Sequence, residues 1–127
     1  MKLKWLDRSL VIGPHLVLVT SEKEFNTVLS SVGLKESVNW IGKTAVATTT
    51  SFKVGNKDYC VVSINPEIVK DLDPVDVATV LVHEAVHVFQ QHCKNAGEDV
   101  PSEEFEAYSI QHISQQLMVA YRNTLTK

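Results

Sequence analysis

Long apolar runs are missing from this chain, and no stretch approaches the length needed to cross a bilayer. The opening, MKLKWLDRSLVIG, begins basic but sets Asp7 and Arg8 where a secretory signal needs uninterrupted apolar residues. No small-residue cleavage site follows it. Cysteine is scarce. Cys60 and Cys93 can form one bond at most, which is no disulfide framework. Charge of one sign is scarce as well, with 12 Lys+Arg against 15 Asp+Glu and a net charge of −3. No basic stripe extends beyond Lys2 and Lys4, so the footprint of a nucleic-acid binder is absent. These absences predict a soluble cytoplasmic protein with no nucleic-acid and no membrane partner.

Internal repeats, low-complexity segments and linkers rich in Pro, Gly or Ser are absent too. With 127 residues, 44% of them hydrophobic, the chain reads as one domain spanning 1–127 with a modest core.

What is present is a series of short, well-punctuated elements. Leu16 to Val19 leans towards a strand. Phe25, Val28, Leu29 and Val32 follow helical spacing and predict a helix over 21–32, with Thr20 or Ser21 as cap and Gly33 as stop. Thr44 to Val54 and Tyr59 to Ile64 read as two strands joined through Gly55-Asn56, a β-hairpin ended by Asn65-Pro66. Asp73 is a good N-cap, Pro74 suits the first helical position, and Asp76 favours the positive end of the dipole. A long helix should therefore run to about Asn95 and close at Gly97. A second long helix is expected from near Ser102 to about Tyr121, on the spacing of Ile110, Ile113, Leu117 and Tyr121.

The first long helix carries the chemistry. It contains Val82-His83-Glu84-Ala85-Val86-His87-Val88-Phe89, an HExxH pattern. Histidines four apart stack on one helix face and can reach a single zinc ion at roughly 2.0–2.1 Å. Glu84 projects beside the pair, where it reaches a metal-bound water as general base without being a ligand. From Val80 to Phe89 every other residue is apolar, which predicts a helix buried all round, with the three polar side chains held by a metal. The bland alternative is two solvent-facing histidines on an ordinary helix, and the short pattern by itself also arises by chance.

A catalytic zinc takes a third protein ligand. His92, five residues past His87, points well away from the pair. Cys93 and Gln90 stand where the metzincin pattern needs histidine and glycine, which disfavours that class. The stretch Glu103-Glu104-Phe105-Glu106-Ala107-Tyr108 resembles the second motif of the gluzincins, the zinc peptidase class that includes thermolysin. In that class a glutamate ligand stands three residues before a small residue, which maps onto Glu104, with Glu103 and Glu106 as competitors. Tyr108 departs from the Asp or Asn usual after the small residue. It is a candidate catalytic or orienting side chain, or equally part of a solvated stripe with Glu104, Gln111 and Gln115.

The resemblance covers roughly residues 73–121 and is closest to minimal single-domain gluzincins of small bacterial and phage proteins. It implies an α+β fold, a small antiparallel sheet packed on a buried HExxH helix and a second long C-terminal helix. It also implies a zinc-dependent hydrolase, a narrow-specificity metallopeptidase with a peptide or protein substrate, Zn2+ on His83, His87 and Glu104, and Glu84 as base. Oxyanion donors implied by the chemistry are Tyr108, His112, Tyr121 or Arg122. In gluzincins the substrate adds as a strand to the sheet beside the metal helix, which points to Tyr59–Ile64, or else that segment is a plain interior strand. A zinc amidohydrolase on a non-protein amide and a non-catalytic metal-binding interaction module are the alternatives. His15, Trp5 and Trp40 read as turn or packing residues.

Overall fold

A computed structural model describes residues 3–6, 14–36, 38–41 and 44–125. Asp7 and Arg8, on which the N-terminal reading turned, lie outside the described residues.

The described chain forms β1 (His15–Val19), α1 (Glu22–Ser31), β2 (Ala47–Val54), β3 (Lys57–Ile64), α2 (Pro66–Val69), α3 (Pro74–Ala96) and α4 (Glu103–Leu125). Local chemistry sets the boundaries. Ser21 caps α1 by accepting from the Glu24 amide. Gly55 opens the β2–β3 turn at φ 64°, a left-handed conformation that glycine adopts without steric cost. Asp73 accepts from the amides of Val75 and Asp76 at 2.8 and 3.0 Å. Gly97 then closes α3 in the left-handed region at φ 70°. The short helix α2 was not expected. The Asn65 side chain that ends the strand also accepts from the Glu67 amide and starts that turn.

The three strands lie in the order β1-β3-β2, with β1 parallel and β2 antiparallel to β3. The sheet is therefore mixed, which corrects the expected antiparallel one. Periodicity reports which face a strand residue takes, not which way its neighbour runs. Here α1 and the stretch after it carry the chain from one sheet edge to the other before the hairpin folds back, so β3 returns alongside β1 in the same direction.

Both faces of the sheet are covered. Cys60, Val62 and Ile64 pack with Leu16 against Leu81, Ala85, Val88 and Phe89 of α3 and Ile113 and Leu117 of α4. Val17, Val19 and Val61 pack on the other face against Phe25, Val28 and Leu29 of α1. This α+β arrangement puts β3 in the middle of three layers. Tyr59–Ile64 is thus the central strand, with a partner on each side, and the edge strands are β1 and β2.

A second correction concerns α3, which the run of apolar residues predicted to be buried all round. Its buried side carries Val77, Leu81, Glu84, Ala85, Val88, Phe89 and Cys93, while His83 and His87 are exposed and Val82 is 38% exposed. Three strands and one neighbouring helix cover only part of its circumference. Among the described residues no helix is long and apolar enough to cross a membrane.

One-sided burial predicts an asymmetry between adjacent α3 residues. Leu81→Ala should cost about 2–5 kcal/mol of unfolding free energy in urea. Val82→Ala should stay within about 0.5 kcal/mol of wild type, as surface changes do.

Candidate metal centre

The polar face of α3 looks onto β2. The hairpin register pairs Ala47 with Ile64, Thr49 with Val62 and Ser51 with Cys60, so these three β2 residues share the face that α3 covers. A cavity of about 430 Å³ opens there, lined by Thr49, Ser51, His83, Glu84, His87 and Gln90 with four neighbours.

Within it the Nε2 atoms of His83 and His87 stand 3.2 Å apart. Helix geometry alone puts the two rings one turn from each other, and here they meet edge to face with centroids 4.8 Å apart. The Oε1 of Gln90 lies 3.1 Å from Nδ1 of His87. When Nδ1 carries the proton and donates it to Gln90, the His87 Nε2 presents a lone pair towards His83. Two lone pairs at 3.2 Å repel, so the contact requires either a proton on His83 or a cation between the rings. Two nitrogens on a tetrahedral zinc at roughly 2.0–2.1 Å stand about 3.3 Å apart, and the pair fits that spacing.

Glu84 behaves differently from its neighbours. It is 4% exposed, and its Oε1 accepts from the Thr49 hydroxyl at 2.8 Å. A buried carboxylate without such a donor is costly, so Thr49 fixes where this group sits. Sequence reading passed over Thr49 as one β-former in a Thr-rich strand. The signal was nonetheless there. Once Cys60, Val62 and Ile64 are taken as inward, a two-residue turn makes Ser51, Thr49 and Ala47 inward as well, and two polar residues on an inward row call for a polar partner.

Of the expected ligands, only the histidines come together. Glu104 is exposed on α4, and among the described residues no group of three or more His, Cys, Asp or Glu side chains is placed to hold a metal ion. Packing accounts for this. Phe105 anchors the first turn of α4 on Phe89 and His92, with ring centroids at 5.7 and 6.4 Å. Those positions lie roughly 140–160° round α3 from the histidine pair, at about 100° per residue. Glu103 and Glu106 are exposed on the same turn, and Tyr108 is 61% exposed. Neither Tyr108 nor Tyr121, Arg122 or His112 lines the cavity, and His112 lines a different one.

Both cysteines are buried and unpaired. Burial pushes the Cys60 thiol up to about 11, against the lowering effect of its Ser51 contact and with a further push from Asp58. Burial likewise raises Cys93. Neither has the character of a nucleophilic thiolate.

Comparison of the chain with family models, with curated proteins and with solved structures finds no match.

Two outcomes follow. Thr49→Val should destabilise the fold by about 1–3 kcal/mol in urea, because it leaves Glu84 buried without its hydroxyl donor, whereas Thr49→Ser should stay close to wild type. The Cys60 thiol stays neutral in the fold up to about 11 while in the unfolded chain it ionises from its ordinary 9.0. Stability linked to this group is therefore intact below pH 9 and lost as pH rises from 9 to 11. Thermal melts across that window should fall more steeply for wild type than for Cys60→Ser.

Proposed function

We propose that the chain is a zinc-dependent hydrolase, a narrow-specificity metallopeptidase acting on peptide or protein substrates. The observation that carries this reading is the convergence of the His83 and His87 Nε2 atoms at 3.2 Å beside a buried, hydrogen-bonded Glu84 in one cavity. The HExxH pattern and its likeness to the gluzincin class support it.

His83 and His87 would hold the metal, with Gln90 orienting the His87 ring. A zinc ion bound there supplies Lewis acidity and a water whose pKa falls towards about 7. Glu84, held beside the pair, would be the general base that accepts a proton from the attacking water and passes it to the leaving amine. Thr49 holds one carboxylate oxygen and leaves the other for this exchange. The substrate strand would lie along β2, the sheet edge that borders the cavity, rather than along the central β3. Glu104 enters as third ligand on the motif alone, since reaching the pair would require the first turn of α4 to leave Phe89 and His92.

The absence of a third ligand among the described residues favours one alternative, a non-catalytic module that uses the metal as an interaction platform. A structural site needs no base, whereas here Glu84 is held in place beside the pair.

Competition titration with zinc and cleavage of a mixed peptide library decide between them. His83→Ala and His87→Ala should each weaken zinc binding by about tenfold or more, and Glu104→Ala by less. Glu84→Gln should keep zinc and lose turnover by about a hundredfold or more. Zinc bound by wild type with no peptide cleaved would favour the platform. Failure of wild type to bind zinc would end both readings. If Glu104→Ala abolishes binding as fully as the histidine variants do, α4 is arranged differently in the metal-bound chain.

A further inference from the structure

The cavity that holds the histidine pair continues along α3 past Gln90 to Lys94. At about 100° per residue, His83, His87, Gln90 and Lys94 fall within roughly 60° of one another, so they form one stripe along the helix. Gln91 lines the cavity beside them, and its amide nitrogen donates to Asn95 at 2.9 Å.

Donors and acceptors are out of balance at this end of the cavity. Among the described residues the exposed Lys94 has no ion pair and no side-chain hydrogen bond. With Nδ1 of His87 donating to the Gln90 oxygen at 3.1 Å, the Gln90 NH2 group stays open, and no described residue accepts from it. Among the described residues the only carboxylate lining the cavity is Glu84, which is 4% exposed and held by Thr49. A full positive charge and an amide donor, one turn apart, therefore border a space without a counter-charge. A cation on the histidines would make that space more positive still, in a chain whose net charge is −3. A carboxylate fits it, because its two oxygens accept from an ammonium and an amide N–H side by side.

We propose, on the reading of the histidine pair as a hydrolytic centre, that Lys94 and the Gln90 amide bind a carboxylate of the substrate and so select acidic peptides. Lys94 stands seven residues past His87, roughly 10 Å along the helix axis. Long helical side chains lean towards the N-terminus, which brings the ammonium nearer the pair. An extended peptide advances about 3.3 Å per residue, so the carboxylate lies about two or three residues from the scissile bond. An Asp or Glu side chain of the substrate supplies such a group, and so does its own C-terminus. Lys94 also suits the negative end of the α3 dipole, a role indifferent to substrate charge. The ratio between substrates separates the two roles.

Two peptide series carry the test. In one, the best-cleaved peptide of the mixed library is capped at both ends and given Glu, Gln or Lys at successive positions on either side of the scissile bond. In the other, it is shortened to end two or three residues past that bond, as free acid and as amide. In one series wild type should prefer the carboxylate peptide about five- to tenfold in kcat/KM, chiefly through KM. The first series assigns an acidic side chain and the second a C-terminus. Lys94→Gln should bring that ratio close to one, and Lys94→Glu should reverse it in favour of a cationic side chain. The preference should shrink in about 1 M salt. Cleavage indifferent to a carboxylate in both series, or a preference that Lys94→Gln retains, overturns the proposal and leaves the hydrolase reading standing. If wild type cleaves nothing, the 15N-labelled chain, with and without zinc, is titrated with N-acetyl-Ala-Ala-Ala-Glu-amide and N-acetyl-tetraalanine, each against N-acetyl-tetraalanine amide. Saturable shifts of the Gln90 side-chain amide that need both the carboxylate and Lys94 would keep the carboxylate site while the hydrolase reading falls. Their absence would overturn both.

Discussion

A carboxylate buried between a helix and a strand sets the terms for the rest of this molecule. Glu84 lies buried against β2 with one carboxylate oxygen on the Thr49 hydroxyl. Leaving that oxygen without a donor would cost more than most single apolar contacts return. The rotation of α3 about its axis is therefore tied to the register of the β2–β3 hairpin. With Glu84 turned in, His83 and His87 must emerge along the rim between helix and strand, where their nitrogens converge.

The same constraint decides what can join them. The side of α3 that packs on the sheet holds Leu81, Ala85 and Val88, and the side next to it holds Phe89 and His92, where Phe105 seats α4. The helix thus shows three faces to three environments: sheet, helix and solvent. The histidines occupy the solvent face, so the first turn of α4 does not meet them. A third helix face cannot be recruited without disturbing the aromatic contact that docks α4.

A sheet of three strands explains the rest. Its central strand has neighbours on both sides and helices on both faces, while its two edges open onto different surroundings. At β2 the edge borders the histidine cavity. At β1 the edge faces a polar stripe of α4 across a second cavity.

Much of this was legible in the amino-acid sequence, because it depends on neighbours in the chain. Asp73-Pro74 and Gly97 bounded α3, Gly55-Asn56 placed the hairpin, and the four-residue spacing put His83 and His87 on one face whatever surrounded them. Helix pitch likewise excluded His92 from that face. Tertiary structure alone decided the direction of β1, since alternation encodes faces and is blind to strand polarity. It also decided that an apolar helix keeps one side in water, that Thr49 is the partner of Glu84, and that Phe105 holds Glu104 away from the histidines. Each of those depends on a contact between residues far apart in sequence, and no local period or cap carries information about which distant face will arrive.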